Sequence, residues 1–214
     1  MTPLSYLGAL GGSYLIGSFP TGYLMGRWWR GIDIREHGSG NPGATNVFRV
    51  VGKGPGLITL AIDIAKGIVA VWLVQVLFGG SDVLKVMAGC CAVVGHTWTP
   101  FLRFKGGKGV ATSAGVFVTL LPIPAAIAIA GFAVAFAATR HVSVGSLTGS
   151  ILLPLTAWMQ CGGFLFSEGS GHPLKAAMAT ALAVLIILKH IPNIKRLIKG
   201  EELALTTGSD KKHD

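Results

Sequence analysis

Leu57-Ile58-Thr59-Leu60-Ala61-Ile62-Asp63-Ile64-Ala65-Lys66-Gly67-Ile68-Val69-Ala70-Val71-Trp72-Leu73-Val74-Gln75-Val76-Leu77-Phe78 decides the fold class. A helix that spans a bilayer needs about 20 mostly apolar residues, and this segment supplies them with only two charges. A charged side chain at the bilayer centre costs about 2.5–3.5 kcal/mol, so Asp63 and Lys66 would oppose insertion if they stood alone. Their i,i+3 spacing puts them on one helix face, where they can neutralise each other. That face is expected to look into a helix bundle. One reading makes the pair purely structural; the other gives Asp63 an orienting role beneath a neighbouring loop or cation.

The same character extends along the chain. Its 214 residues are 51% hydrophobic and only 13% charged, with a mean hydropathy of +0.62, where soluble domains carry about 25% charged residues. The expectation is an all-α integral membrane protein: one polytopic domain over residues 1–200 and a polar cytoplasmic tail over 201–214. Seven transmembrane helices are predicted, at 4–25, 57–78, 83–102, 110–121, 123–139, 147–166 and 173–189. The fourth and fifth are short, and could instead form one re-entrant pair. Trp28, Trp29 and Trp98 suit interfacial anchoring. Cys90, Cys91 and Cys161 fall inside apolar segments, without metal-ligand or CxxC spacing, and read as small buried residues.

Charge gives the orientation. Arg27, Arg30, Arg35, Arg49, Lys53, Arg103, Lys105, Lys108, Arg140, Lys195, Arg196 and Lys199 fall on alternate connections and the tail, while the connections at 79–82, 122–124 and 167–172 hold no Lys or Arg. The positive-inside rule puts the basic loops in the cytoplasm. Seven spans then place the N-terminus outside and the C-terminus in the cytoplasm. The start lacks a basic region ahead of its apolar stretch, so the first segment reads as a retained span rather than a cleaved signal. The net charge of +9 is confined to short loops between spans. It favours membrane lipids and small phosphorylated substrates as partners over nucleic acid, and no stable protein partner is implied.

Two of these basic loops are rich in glycine. Gly38-Ser39-Gly40-Asn41-Pro42-Gly43-Ala44-Thr45-Asn46, with Arg49 after it, can bring backbone N–H groups together around an anion. Phe104-Lys105-Gly106-Gly107-Lys108-Gly109 can do the same around a lysine. Ser39, Asn41, Thr45 and Asn46 offer neutral donors and acceptors, Arg49 a planar fork suited to phosphate, and Lys108 a point charge. Ser146 follows Arg140-His141. His190 and Asn193 share a face if a helix continues through Pro192, though proline makes a break near Lys189 an alternative. His96 lies near the end of the third span, where an interfacial structural role is its simpler reading. No metal cluster and no cofactor are expected.

These segments resemble the signatures of the bacterial acyl-phosphate-dependent glycerol-3-phosphate acyltransferases (the PlsY family). Ser39 to Asn46 with Arg49 is similar to the first signature and Asp63-Ile64-Ala65-Lys66-Gly67 to an Asp-x-x-Lys-Gly element. Gly95-His96, Pro100 and Phe104 to Thr112 resemble the second signature. His190, Asn193-Ile194, Arg196-Leu197 and Gly200-Glu201 resemble the third, with Lys189 where Arg is usual and Ile191-Pro192 replacing polar residues. The resemblance implies transfer of a fatty acyl group from acyl phosphate to glycerol 3-phosphate. The products are 1-acyl-glycerol 3-phosphate (lysophosphatidic acid) and phosphate, and the reaction is the first step of phospholipid synthesis. It implies a bacterial cytoplasmic (inner) membrane location with the site on the cytoplasmic side. Ser39, Arg49 and Lys108 are expected on the acyl-phosphate headgroup, and Ser146, His190 and Asn193 about glycerol 3-phosphate. Lys108, His190 and Ser39 are the expected catalytic residues, with Asp63, Lys66 and His96 as orienting ones. The proton acceptor is either His190 or the donor phosphate. A transporter or flippase of an anionic metabolite or lipid would also need spans and basic loops, but would place its polar residues at the bilayer midplane. Acyltransferases that use acyl-CoA or acyl carrier protein share a His-x-x-x-x-Asp motif, and no histidine here has Asp five positions on.

Overall fold

The computed structural model describes residues 2–79, 81–164 and 172–205. Within them the chain is helical: α1 (Pro3–Ser18), α2 (Thr21–Arg30), α3 (Ala44–Val50), α4 (Lys53–Phe78), α5 (Asp82–Thr97), α6 (Val110–Leu120), α7 (Pro122–Thr139), α8 (Val142–Cys161), α9 (Pro173–Lys189) and α10 (Ile191–Ile198), with 3-10 turns at Ile34–Glu36 and Pro100–Leu102. Three helices, α4, α7 and α8, are individually long and apolar enough to cross a membrane. A fourth crossing arises if α9 and α10, bent by 54°, count as one span. The predicted end of the sixth segment, most of the loop at 167–172, Gly80 and the tail beyond 205 lie outside the described residues.

The first predicted segment is not one helix. It stops at Ser18 and restarts at Thr21, because Pro20 has no N–H to continue the ladder. The carbonyls released by the break are taken up by buried side chains. Lys66 Nζ donates to the Phe19 carbonyl at 3.1 Å, and the Thr99 hydroxyl donates to that of Ser18 at 2.7 Å. Lys66 also pairs with Asp63 at 2.8 Å, and Asp63 accepts from the Thr21 hydroxyl at 3.2 Å. The i,i+3 pair therefore turns inward, as expected, and binds the broken helix.

The third predicted segment likewise ends early, at Thr97, and the chain turns through Pro100–Leu102. The fourth and fifth form separate helices, divided at Leu121 ahead of Pro122. Short α6 is mostly buried, whereas α7 is largely exposed and packs as a hairpin on α8. α4 and α6 cross closely: a Cβ on Gly115 would stand 2.0 Å from the Ile64 carbonyl oxygen, and one on Gly67 2.2 Å from that of Thr112. The principal core joins α4, α5, α6, α8 and α9 through Val71, Val93, Val116, Phe117, Leu153 and Leu182. Apolar side chains also cover the outside, among them Leu7, Trp72, Val76, Val134, Leu155 and Val184. Such a continuous exposed apolar surface suits lipid, not water.

Candidate active site

The two glycine loops come together at one end of a cavity of about 380 Å³, within the range of small-ligand sites. Ser39, Asn41, Thr45 and Arg49 line it from the first loop and α3. Lys108 lines it from the second, Ser146 from α8, and His190 and Asn193 from the break between α9 and α10. Asn46, Asp63 and His96 also reach its wall. Lys66 does not; it lies in a small polar pocket beneath, with Phe19, Thr21 and Gly107. Away from these groups the wall becomes apolar, with Phe117, Ala125, Ala128, Ile129 and Leu153. The site is thus a cationic head above a greasy tail.

Part of the backbone in each loop is already hydrogen-bonded within the protein. In the first, Ser39 N donates to Asn46 Oδ1, Gly43 N to Asn41 Oδ1 and Gly40 N to the His37 carbonyl. Asn46 donates in turn to the carbonyls of Ile34 and His37, so its whole amide ties the loop together. Gly38 makes this possible, with φ +60° and a position where a Cβ would stand 2.3 Å from Asn46 Oδ1. In the second loop, Gly106 N and Gly107 N donate to the carbonyls of Thr97 and His96. A Cβ on Gly107 would stand 2.2 Å from His96 Nε2, and His96 Nδ1 stands 3.8 Å from Asp63. The Lys108 loop therefore rests on His96, which rests on the Asp63–Lys66 pair. The N–H groups of Ala44, Thr45, Lys108 and Gly109, and those of the first turn of α6, donate to no carbonyl among the described residues.

His190 is where α9 stops and α10 starts, with Pro192 in the first turn of α10. The seventh helix does not continue through the proline; the 54° bend turns Asn193 into the cavity. His190 Nδ1 lies 2.8 Å from the Ile186 carbonyl. A carbonyl only accepts, so Nδ1 carries the proton and Nε2 keeps its lone pair. Burial, with the nearby Lys108 charge, lowers the His190 pKa to about 4. Burial lowers that of Lys108 to about 8, and burial also lowers that of Arg49.

Residues 201–205, in place of the plain polar tail expected, form a strap across the site. Arg49 donates to the carbonyls of Leu203 and Ala204 at 3.2 and 3.4 Å. Lys108 Nζ donates to Asn193 Oδ1, Asn193 Nδ2 donates to Glu202 Oε1 at 2.6 Å, and Arg196 Nε donates to Glu202 Oε2 at 2.8 Å. Burial works against the Glu202 charge, but hydrogen bonds from Asn193 and Arg196 outweigh it and hold its pKa below the ordinary value. Glu202 and Ser113, a buried serine that lines the cavity from α6, were missed. The basic stretch around Glu202 pointed to its partners, while nothing local marked Ser113.

An amphiphilic cavity with a cationic head, held in a helical bundle clad in apolar side chains, defines a membrane protein that handles lipid-like anions. The family model described as glycerol-3-phosphate acyltransferase matches residues 7–200, and the chain belongs to that family. A glycerol-3-phosphate acyltransferase of Desulforudis audaxviator is 46% identical over 94% of this chain and 96% of its own length. One of Prochlorococcus marinus is 41% identical over 89% and 92%. Crystal structures of PlsY (YgiH), an integral membrane glycerol 3-phosphate acyltransferase, superpose closely. The glycerol 3-phosphate form has a TM-score of 0.85 and 32% identity, covering 98% of this chain and all of that one. The lysophosphatidic acid form has a TM-score of 0.80 and 33% identity, covering 95% and 96%.

Proposed function

We propose that this enzyme acylates glycerol 3-phosphate with acyl phosphate, releasing lysophosphatidic acid and inorganic phosphate. One observation carries the choice of donor: the cations stand at the mouth of an apolar cavity, matching a phosphate head joined directly to a fatty acyl chain. The relatives and the crystallised neighbours are acyltransferases acting on glycerol 3-phosphate, which supports the acceptor. The seven predicted segments, with the N-terminus outside and the basic loops and C-terminus in the cytoplasm of a bacterial inner membrane, remain our topology. Residues 1–200 form its single catalytic domain, and the tail from 201 contributes Glu202 to the site.

In this reading Arg49 and Lys108 hold the donor phosphate, with Ser39, Asn41 and Thr45 at its edge. Ser146, His190 and Asn193 hold the acceptor. Asn46 clamps the loop, and Asp63, Lys66 and His96 support the other loop from below. The glycerol hydroxyl oxygen attacks the acyl carbon. The carbonyl electrons move onto its oxygen, then return as the bond to phosphate breaks, while the hydroxyl proton passes to the donor phosphate. Cations around the leaving group stabilise the charge that grows there, and holding both substrates together contributes by proximity. His190 is neutral at pH 7, and its low pKa makes it a weak base. Its free Nε2 instead accepts a hydrogen bond from the hydroxyl and aims it.

The purified protein in lipid, given glycerol 3-phosphate with either acyl phosphate or acyl-CoA, should form lysophosphatidic acid from the first and release phosphate. No product from acyl phosphate would overturn this proposal.

A further inference from the structure

Serines and threonines inside these helices mostly donate to the carbonyl four residues back. Ser146 does so to Val142, Ser150 to Ser146 and Thr119 to Gly115. Ser113 does not. Its residue is 3% exposed, and its hydroxyl has no partner among the described residues. A buried hydroxyl without a partner is costly and is more informative than a satisfied one. Among the described residues the hydroxyls of Thr97, Thr112 and Ser143 are orphaned too; Thr97 and Thr112 do not line the cavity, and Ser143 lines it from α8, facing Glu202, and not from the helix that follows Lys108.

Its position specifies what it meets. Val110, Ser113, Ala114 and Phe117 recur at helical spacing along the cavity-facing stripe of α6. Lys108, at the cationic head, precedes the stripe, and Phe117 ends it in the apolar part. Ser113 therefore stands where head becomes tail. It is also in the first turns of an eleven-residue helix whose N-cap, Gly109, offers no side chain to its N–H groups. The N–H groups of Val110, Ala111 and Thr112 have no carbonyl behind them within the helix, and the positive end of the helix dipole favours negative charge there.

We propose that the Ser113 hydroxyl, with these first-turn N–H groups, binds the carbonyl oxygen of the acyl donor and stabilises the oxyanion formed on attack. This rests on the acyl-phosphate reading above. An acyl phosphate whose phosphate lies at Lys108 and whose chain runs toward Phe117 puts its carbonyl group at the intervening turn. Ser113 keeps its proton throughout. It donates a hydrogen bond as the carbonyl π electrons move to oxygen and weakens that bond when phosphate leaves. Within such a site the serine is a catalytic residue that touches a reacting atom.

Ser113→Ala removes the hydroxyl without removing any hydrogen bond from the protein. It should lower kcat by about 100- to 1,000-fold, as loss of one oxyanion donor does, with KM for glycerol 3-phosphate within about threefold and the melting temperature unchanged or raised. Ser113→Thr, which keeps a hydroxyl, should retain more activity than Ser113→Ala. An acyl phosphonate that keeps the carbonyl should inhibit Ser113→Ala more weakly than wild type. An alkyl phosphate without a carbonyl should inhibit both equally. A Ser113→Ala enzyme within threefold of wild-type kcat would overturn the assignment, and so would equal loss of affinity for both inhibitors. Inactivity of the wild-type protein toward acyl phosphate would instead refute the choice of donor.

Discussion

Lys108 offers the most direct test of the electrostatic design. Burial moves its pKa from 10.5 to about 8, a bias of about 3 kcal/mol against the charged form at roughly 1.4 kcal/mol per unit. The partner it has in the resting site is the neutral amide oxygen of Asn193, so the charge is not directly paired. A phosphate dianion would repay that bias by restoring the charge. In the free enzyme Lys108 is charged below about pH 8 and loses its proton as pH rises through that value. kcat/KM for the acyl donor, which reports free-enzyme ionisations, should therefore fall tenfold per pH unit above about 8. With both substrates saturating, the bound phosphate holds the proton on, and the kcat limb should move to higher pH. Lys108→Arg has no accessible deprotonation, so its residual kcat/KM should show no limb near 8, while Lys108→Ala should be inactive but folded. The assay is phosphate release in lipid across pH 6 to 10. A wild-type kcat/KM that stays flat to pH 9.5, or a limb near 8 that persists in Lys108→Arg, would refute the reasoning.

His190→Ala should lower kcat by less than the roughly 100-fold or more expected for loss of a general base. Its acid limb should stay near the second phosphate pKa of about 6; disappearance of that limb in the pH profile would make His190 the base. Gly107→Ala puts a Cβ 2.2 Å from His96 Nε2, so the Lys108 loop must shift. Since a displacement of about 1 Å can cost 100-fold, kcat/KM should fall by about 10- to 100-fold, and steady-state kinetics on folded protein would measure it. Lys66→Met leaves Asp63 charged and the Phe19 carbonyl bare; removing one member of a buried pair costs about 3–5 kcal/mol. Thermal unfolding in detergent should show a large drop, and an unchanged midpoint would remove the pair from the fold's support.

The parts legible in sequence were those that repeat a local rule. Apolar runs revealed the helices, and α9 begins and ends where its run does. The inward turn of Asp63 and Lys66 followed from the cost of charge in lipid. What sequence could not show depended on partners far along the chain. The break at Pro20 was hidden because both its sides are apolar, and Lys66 and Thr99, which donate to the carbonyls it frees, lie far along the chain. Composition also does not reveal that Asn46 occupies the Ser39 N–H and that the His96 and Thr97 carbonyls occupy those of Gly107 and Gly106.

Glu202 shows the same limit with a functional consequence. In sequence it is one acid in a charged tail, which ordinarily signals solvent. In the fold its two oxygens bind Asn193 and Arg196, and Asn193 in turn binds Lys108. The tail thus sets the Asn193 amide so that its oxygen faces Lys108 and its nitrogen faces Glu202. Lys108, which only donates, selects the amide oxygen, and Glu202, which accepts, selects the nitrogen, so the two charges hold the same orientation from opposite sides. A carboxylate nine residues beyond Asn193 therefore helps to set which amide atom meets Lys108. Residues 201–205 thereby reach the wall of the candidate site, although their composition resembles a solvated tail.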